Sequence, residues 1–171
     1  MPRELLVFRH GKSDWGTDAA DDFDRPLAKR GRKAVKRMAL WAREQDVVPH
    51  RIVSSTAERA RQTTLRFCRH AGIPDSAVSW TDAIYEAGVP TLLTVLAEIE
   101  PGSDRLMIVG HNPGFESLVE YLTGRPIEIL PGTPAFPTAT LARLAMPDDW
   151  TRLERGCADL LTLVRPRELD S

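Results

Sequence analysis

The stretch Leu5-Leu6-Val7-Phe8-Arg9-His10-Gly11 decides how the chain is read. Four consecutive apolar residues imply a short strand buried on both faces, the habit of parallel sheets covered by helices. The run then stops on a cation, an imidazole and a glycine. In open α/β sheets ligands bind beyond the carboxyl ends of strands, so Arg9 and His10 fall where chemistry is done. A strand that merely ends on two solvated polar residues would look the same. Against that stands a second apolar run with a similar ending, Leu106-Met107-Ile108-Val109-Gly110-His111-Asn112-Pro113-Gly114.

Working outward, Lys12 to Arg25 is polar, carries Asp14, Asp18, Asp21, Asp22 and Asp24, and reads as a loop over the sheet rim. From Leu27 to about Glu44, Ala34, Val35, Met38, Trp41 and Ala42 recur at three- and four-residue steps, marking an amphipathic helix with Trp41 in the core. Pro26 suits its first turn. Lys29, Arg30, Arg32, Lys33, Lys36 and Arg37 read as its solvated face. Arg51 to Ser54 is a second strand, followed by a helix that Ser55 or Thr56 can cap, with Ala57, Ala60, Thr64, Leu65 and Cys68 inward. Ala77 to Trp80 gives a third strand. Pro90 opens a helix buried through Leu92, Leu93, Val95, Leu96 and Ile99, and Pro101-Gly102 turns into the strand Arg105–Val109. Asn112-Pro113 starts a helix that Gly124 stops, and two strands follow, Ala139–Leu144 and Leu160–Val164. The pattern implies one domain over residues 1–171, a three-layer α/β/α sandwich with a mostly parallel central sheet.

Composition narrows the functional classes. A net charge of -1 supplies no global field for nucleic acid or an anionic membrane, so any phosphate recognition is local. The four-residue apolar run before Arg9 is unlike a signal peptide, and no stretch approaches the ~20 apolar residues of a membrane span. Cys68 and Cys157 fit neither a disulfide framework nor a zinc pattern, and a cytoplasmic setting is expected.

If the strands ending at His10 and His111 are neighbours, both imidazoles emerge at one edge together with Arg9. The helix after Ser54 begins there too, and Arg59, about one turn into it, can reach back. Two arginines and two histidines suit a phosphoryl group, whose transfer depends on positioning and on stabilising charge on three oxygens. The guanidinium fork grips two oxygens at once, and a positive field keeps an adjacent imidazole neutral and able to attack phosphorus. Helix-start N–H groups near Asn112 and Gly114 would add anion donors. This chemistry calls for no metal and no cofactor. The acidic loop lacks the glycine and glutamate spacing of an EF-hand.

Taken together, these residues resemble the histidine phosphatase superfamily, with the phosphoglycerate-mutase-like fold, and within it the short bacterial phosphohistidine phosphatases. The likeness rests on Arg9-His10-Gly11, Asp24-Arg25-Pro26-Leu27 with Arg30-Gly31, Ser55 with Arg59-Ala60 and Gln62-Thr63, and Gly110-His111-Asn112-Pro113-Gly114. It extends to Arg165-Pro166-Arg167-Glu168-Leu169. The resemblance implies that His10 is the phosphorylated nucleophile, that Arg9, Gly11, Arg59, His111 and Asn112 bind phosphate, and that Glu86 is the proton donor. It departs at Ala28, where relatives carry a capping Thr or Ser, and at Thr56-Ala57, where they carry Pro-Leu. The activity so implied is a metal-independent phosphatase that dephosphorylates phosphohistidine on a protein. The alternatives are hydrolysis of small phosphate esters with Glu86 as acid, and a non-catalytic phosphate-binding module. A mutase would need a more closed site than so short a chain can build.

Overall fold

β1 (Arg3–Arg9) runs through the middle of a six-stranded sheet in a computed structural model that describes residues 3–16, 19, 21–99, 104–128, 131, 132 and 134–169. Asp18 and the Pro101-Gly102 turn lie outside the described residues. The remaining elements are α1 (Lys29–Glu44), β2 (Arg51–Ser55), α2 (Glu58–Ala71), β3 (Val78–Thr81), α3 (Val89–Ala97), β4 (Arg105–Gly110), α4 (Gly114–Thr123), β5 (Leu141–Met146) and β6 (Asp159–Val164). The strand order is β3-β2-β4-β1-β5-β6; the first four are mutually parallel, β5 is antiparallel to β1, and β6 is antiparallel to β5.

Alternation along the two central strands builds the layers. Leu5, Val7, Leu106 and Ile108 face the core beneath α3 and α4, while Leu6, Phe8, Met107 and Val109 face the one beneath α1 and α2. Leu5 through Phe8 are fully buried, and burying side chains of this size contributes roughly 1.5–3 kcal/mol each. At the amino-terminal edge of these strands, Glu4 bonds Arg105 of β4 at 2.8 Å and Arg143 of β5 at 2.7 Å, tying three strands together.

From β1 the chain passes through α1 to β2 on one side; from β4 it passes through α4 to β5 on the other. Adjacent strands whose connections leave in opposite directions open a crevice at their carboxyl ends, and here those ends are Arg9-His10 and Gly110-His111.

Several element boundaries differ from the sequence expectations. α1 starts at Lys29, because Pro26 and Ala28 are taken up by backbone bonds to Asp14 and Lys12. α2 begins at Glu58 without a side-chain cap, which makes Arg59 its second residue and not one a turn inside. The Ser55 hydroxyl instead accepts the Ala57 N–H at 3.2 Å. α4 starts at Gly114. β5 starts at Leu141, since the Ala139 N–H is shared between the Arg9 and His10 carbonyls. Trp41 is half-buried at the margin of its core cluster.

Candidate active site

The β1–β4 register sets the two histidines side by side. Arg9 pairs with Gly110, the His10 N–H donates to the Gly110 carbonyl at 2.9 Å, and the imidazole centroids lie 5.2 Å apart. Both rings are buried. His10 Nδ1 is 2.6 Å from the Gly11 carbonyl, which can only accept, so Nδ1 carries the proton. That leaves a lone pair on Nε2, toward which Arg59 directs its Nε–H at 3.3 Å. Burial first, then the His111 ring and the Arg59 and Arg9 charges, hold His10 well below its ordinary value of 6.5. The imidazole is neutral and nucleophilic at physiological pH.

His111 Nε2 lies 2.8 Å from the Ser55 hydroxyl. That oxygen already accepts the Ala57 N–H, and His111 Nε2 is the acceptor the structure offers its hydrogen. The imidazole proton is thereby placed on Nδ1, which is buried without a partner among the described residues. Burial, then Arg59, pushes His111 down to about 4.

Around this pair the structure adds Asp22 and Tyr85, which the sequence did not assign to the site. Arg59 donates from Nη1 to the Asp22 carbonyl at 2.6 Å and from Nη2 to the Asp22 carboxylate at 2.9 Å. The Tyr85 hydroxyl donates to the same carboxylate oxygen at 2.6 Å, and Arg25 Nη2 reaches the other oxygen at 2.8 Å. The Tyr85 bond foremost, then Arg59, lowers Asp22 to about 2; reciprocally, the Asp22 bond raises Tyr85 to about 12. The Tyr85 ring stands edge-on to His111 at 5.4 Å and is met edge-on by Phe23 at 5.1 Å. Trp15 stacks under the Arg25 guanidinium. Phe23 and Trp15 thus pack locally, against Tyr85 and Arg25.

Arg9 sends Nη1 to the Phe136 carbonyl at 2.9 Å, and its buried Nε has no partner among the described residues. Two expected phosphate contacts are committed elsewhere. The Gly11 N–H donates to Thr63 Oγ1 at 3.0 Å, and a Cβ on Gly11 would lie 2.9 Å from the Gly31 carbonyl, so this glycine serves the close approach to α1. Asn112 bridges, with Nδ2 on the Phe136 carbonyl at 2.9 Å and Oδ1 accepting the Glu116 N–H at 3.2 Å. The Phe115 N–H returns to the His111 carbonyl, leaving α4 few open donors at its start. Glu86 is exposed, adopts a left-handed backbone (φ 58) and shares a cavity of about 550 Å³ with His111 and Asn112. It makes no hydrogen bond to either histidine among the described residues.

No three His, Cys, Asp or Glu side chains among the described residues are grouped to hold a metal, and no described helix is long and apolar enough to cross a membrane. A neutral nucleophilic imidazole, a second imidazole and two guanidiniums at the switch point of a doubly wound sheet define a phosphoryl-transfer enzyme.

The chain belongs to the histidine phosphatase superfamily, whose branch 1 model matches residues 5–86. It is 32% identical over 168 residues to an uncharacterized protein of Mycobacterium tuberculosis, covering 93% of this chain and 99% of the relative. It is 29% identical over 146 residues to the phosphohistidine phosphatase SixA of Escherichia coli, covering 84% and 85%. A structure described as a candidate SixA phosphohistidine phosphatase from Agrobacterium tumefaciens superposes with a TM-score of 0.79 at 30% identity over 97% of this chain and 99% of that one. The fold alone is shared with a mycobacterial glucosyl-3-phosphoglycerate phosphatase, at 17% identity over 95% and 98% of the two chains and a TM-score of 0.67. The protein is a phosphatase of the short, SixA-like type.

Proposed function

We propose that the protein hydrolyses phosphohistidine on a protein substrate through a phosphoenzyme formed on His10, without a metal. The observation that carries this is the fixed tautomer of His10: Nδ1–H is anchored on the Gly11 carbonyl and Nε2 is left with a lone pair facing Arg59. Nε2 attacks phosphorus, the bond from phosphorus to the substrate's imidazole breaks, and that imidazole keeps the electron pair and takes up a proton. Water then attacks phospho-His10 and releases inorganic phosphate. Arg9 and Arg59 hold the equatorial oxygens, and His111 donates from Nδ1. An imidazole is a good enough leaving group to depart without a protein acid. The absence of a long insertion over the crevice, among the described residues, supports a substrate displayed on another protein, and so does the likeness to SixA.

Glu86 favours a second reading. A carboxyl on the cavity shared with His111 suits protonation of an alkoxide, the poor leaving group of a phosphate ester. One panel separates the two: a phosphohistidine protein, small phosphate esters and nucleotides, with His10→Ala as the blank and Glu86→Gln as the probe. The phosphoprotein reading requires rapid, Glu86-independent hydrolysis of the first substrate and an alkali-stable, acid-labile label on wild-type enzyme. Normal turnover by His10→Ala would sink both.

A further inference from the structure

A second concavity opens on the same rim as His10. It is a groove of about 400 Å³ lined by Lys12, Arg30, Lys33, Arg37 and Arg167, with Pro137 and Thr138 among its other walls and no carboxylate in its lining. Lys12 follows Gly11 two residues after His10, and Pro137-Thr138 lead into Ala139, whose N–H donates to the His10 carbonyl at 2.9 Å. The groove is therefore built on the backbone that positions the nucleophile.

Its cations are arranged against the local electrostatics. Lys12, Arg30, Lys33 and Arg167 are exposed and have no ion-pair partner among the described residues, although the whole chain is close to neutral at -1. α1 begins with Lys29 and Arg30, has no acidic residue in its first turn and has no side-chain cap at Ala28. Cations there oppose the positive end of the helix dipole, and Arg30 and Lys33, three residues apart, repel each other. A bound anion relieves each of these repulsions at once. The charges come from a loop, a helix and the turn Pro166–Leu169, a spread that suits several carboxylates along a chain better than one compact ion.

We infer that this groove docks an acidic segment of the phosphoprotein whose phosphohistidine enters the His10 crevice. The inference deepens the phosphoprotein reading and rests on it for the substrate, but the groove itself can be tested apart from catalysis. Fluorescein-labelled deca-glutamate is titrated against wild-type protein, the pair Arg30→Glu/Lys33→Glu, and Lys36→Glu/Arg43→Glu as an equal charge change on α1 outside the groove. The first variant is expected to bind at least tenfold more weakly, with a flatter salt dependence, while the second binds as wild type. In parallel, the KM for a phosphohistidine protein rises at least tenfold in the groove variant, and turnover of p-nitrophenyl phosphate is unchanged. Equal losses in both variants, or no binding by wild-type protein, overturn the inference. Groove-dependent peptide binding by an enzyme that ignores phosphohistidine proteins would uphold the anion-binding groove and reject the proposed substrate.

Discussion

Replacing Gly31 by alanine tests how tightly His10, the proposed nucleophile, is built into the fold. A Cβ at this position would sit 2.2 Å from the Lys12 carbonyl oxygen and 2.8 Å from its nitrogen. Both are backbone atoms, so no side chain can swing aside, and roughly 1 Å of separation must open to reach a tolerable contact. Overpacking of this kind costs ~1–3 kcal/mol, and a clash with backbone belongs at the upper end. Alanine's better helix propensity returns ~1 kcal/mol, leaving a net loss of about 2 kcal/mol. For a domain of this size that is a Tm lower by roughly 4–8 °C, readable by calorimetry. Lys12 is two residues from His10, and the Gly11 contact with the Gly31 carbonyl transmits the shift. A misplacement near 1 Å at a reacting group costs ~10²-fold in rate. Rapid-quench trapping of labelled phosphate on His10 should show phosphorylation slowed by about that factor. A Gly31→Ala protein with wild-type Tm and wild-type phosphorylation rate would refute the reasoning.

Acid should destabilise the fold through its neutral histidines. His111 is held at about 4 when folded and returns to near 6.5 when unfolded, so between those values the unfolded chain binds the extra proton, and stability falls as pH drops through that window. At ~1.4 kcal/mol per pH unit the loss is on the order of 3 kcal/mol, His10 adds to it in the same direction, and His111→Gln should flatten the profile of urea midpoints. A midpoint constant from pH 6.5 to 4.5 contradicts this. Asp22→Asn frees Arg59 from a competing carboxylate. Because the Asp22 side chain is 46% exposed, the gain is screened to about 1 kcal/mol, a several-fold tighter inhibition by tungstate, and weaker inhibition would overturn the assignment. In the same variant the Tyr85 phenol should titrate well below its present value of about 12, seen by ultraviolet absorbance. Ser55→Ala removes the partner that fixes the His111 tautomer and should lower kcat about tenfold while leaving KM nearly unchanged.

The sheet's centre was legible because β1 and β4 carry uninterrupted apolar runs that only a strand covered on both faces can use. The convergence of His10, Arg59 and His111 followed from it, since parallel neighbours place their carboxyl ends together. The caps were less legible: Ser55 looks like a helix cap in sequence, and only the fold shows that its hydroxyl serves both the Ala57 N–H and His111. Asp22 was one of five acids in a loop, and nothing local marks it as the partner of Tyr85, 63 positions away. Gly11 and Asn112 sit in the right motifs, yet whether their N–H groups stay open to an anion depends on Thr63, 52 positions on, and Phe136, 24 positions on. Spacing reveals which residues share an edge, not which of their hydrogen bonds are already taken.

The central position of β1 has a consequence for biosynthesis. The strand that ends at His10 is made before its partners β4 and β5, which are completed only at Gly110 and Met146. A nascent chain leaving the ribosome holds His10 with neither flanking strand until β4 and then β5 have emerged. Phosphate-cleaving competence therefore arrives late and all at once, and shortened translation products that stop before β4 have no scaffold on which to assemble it.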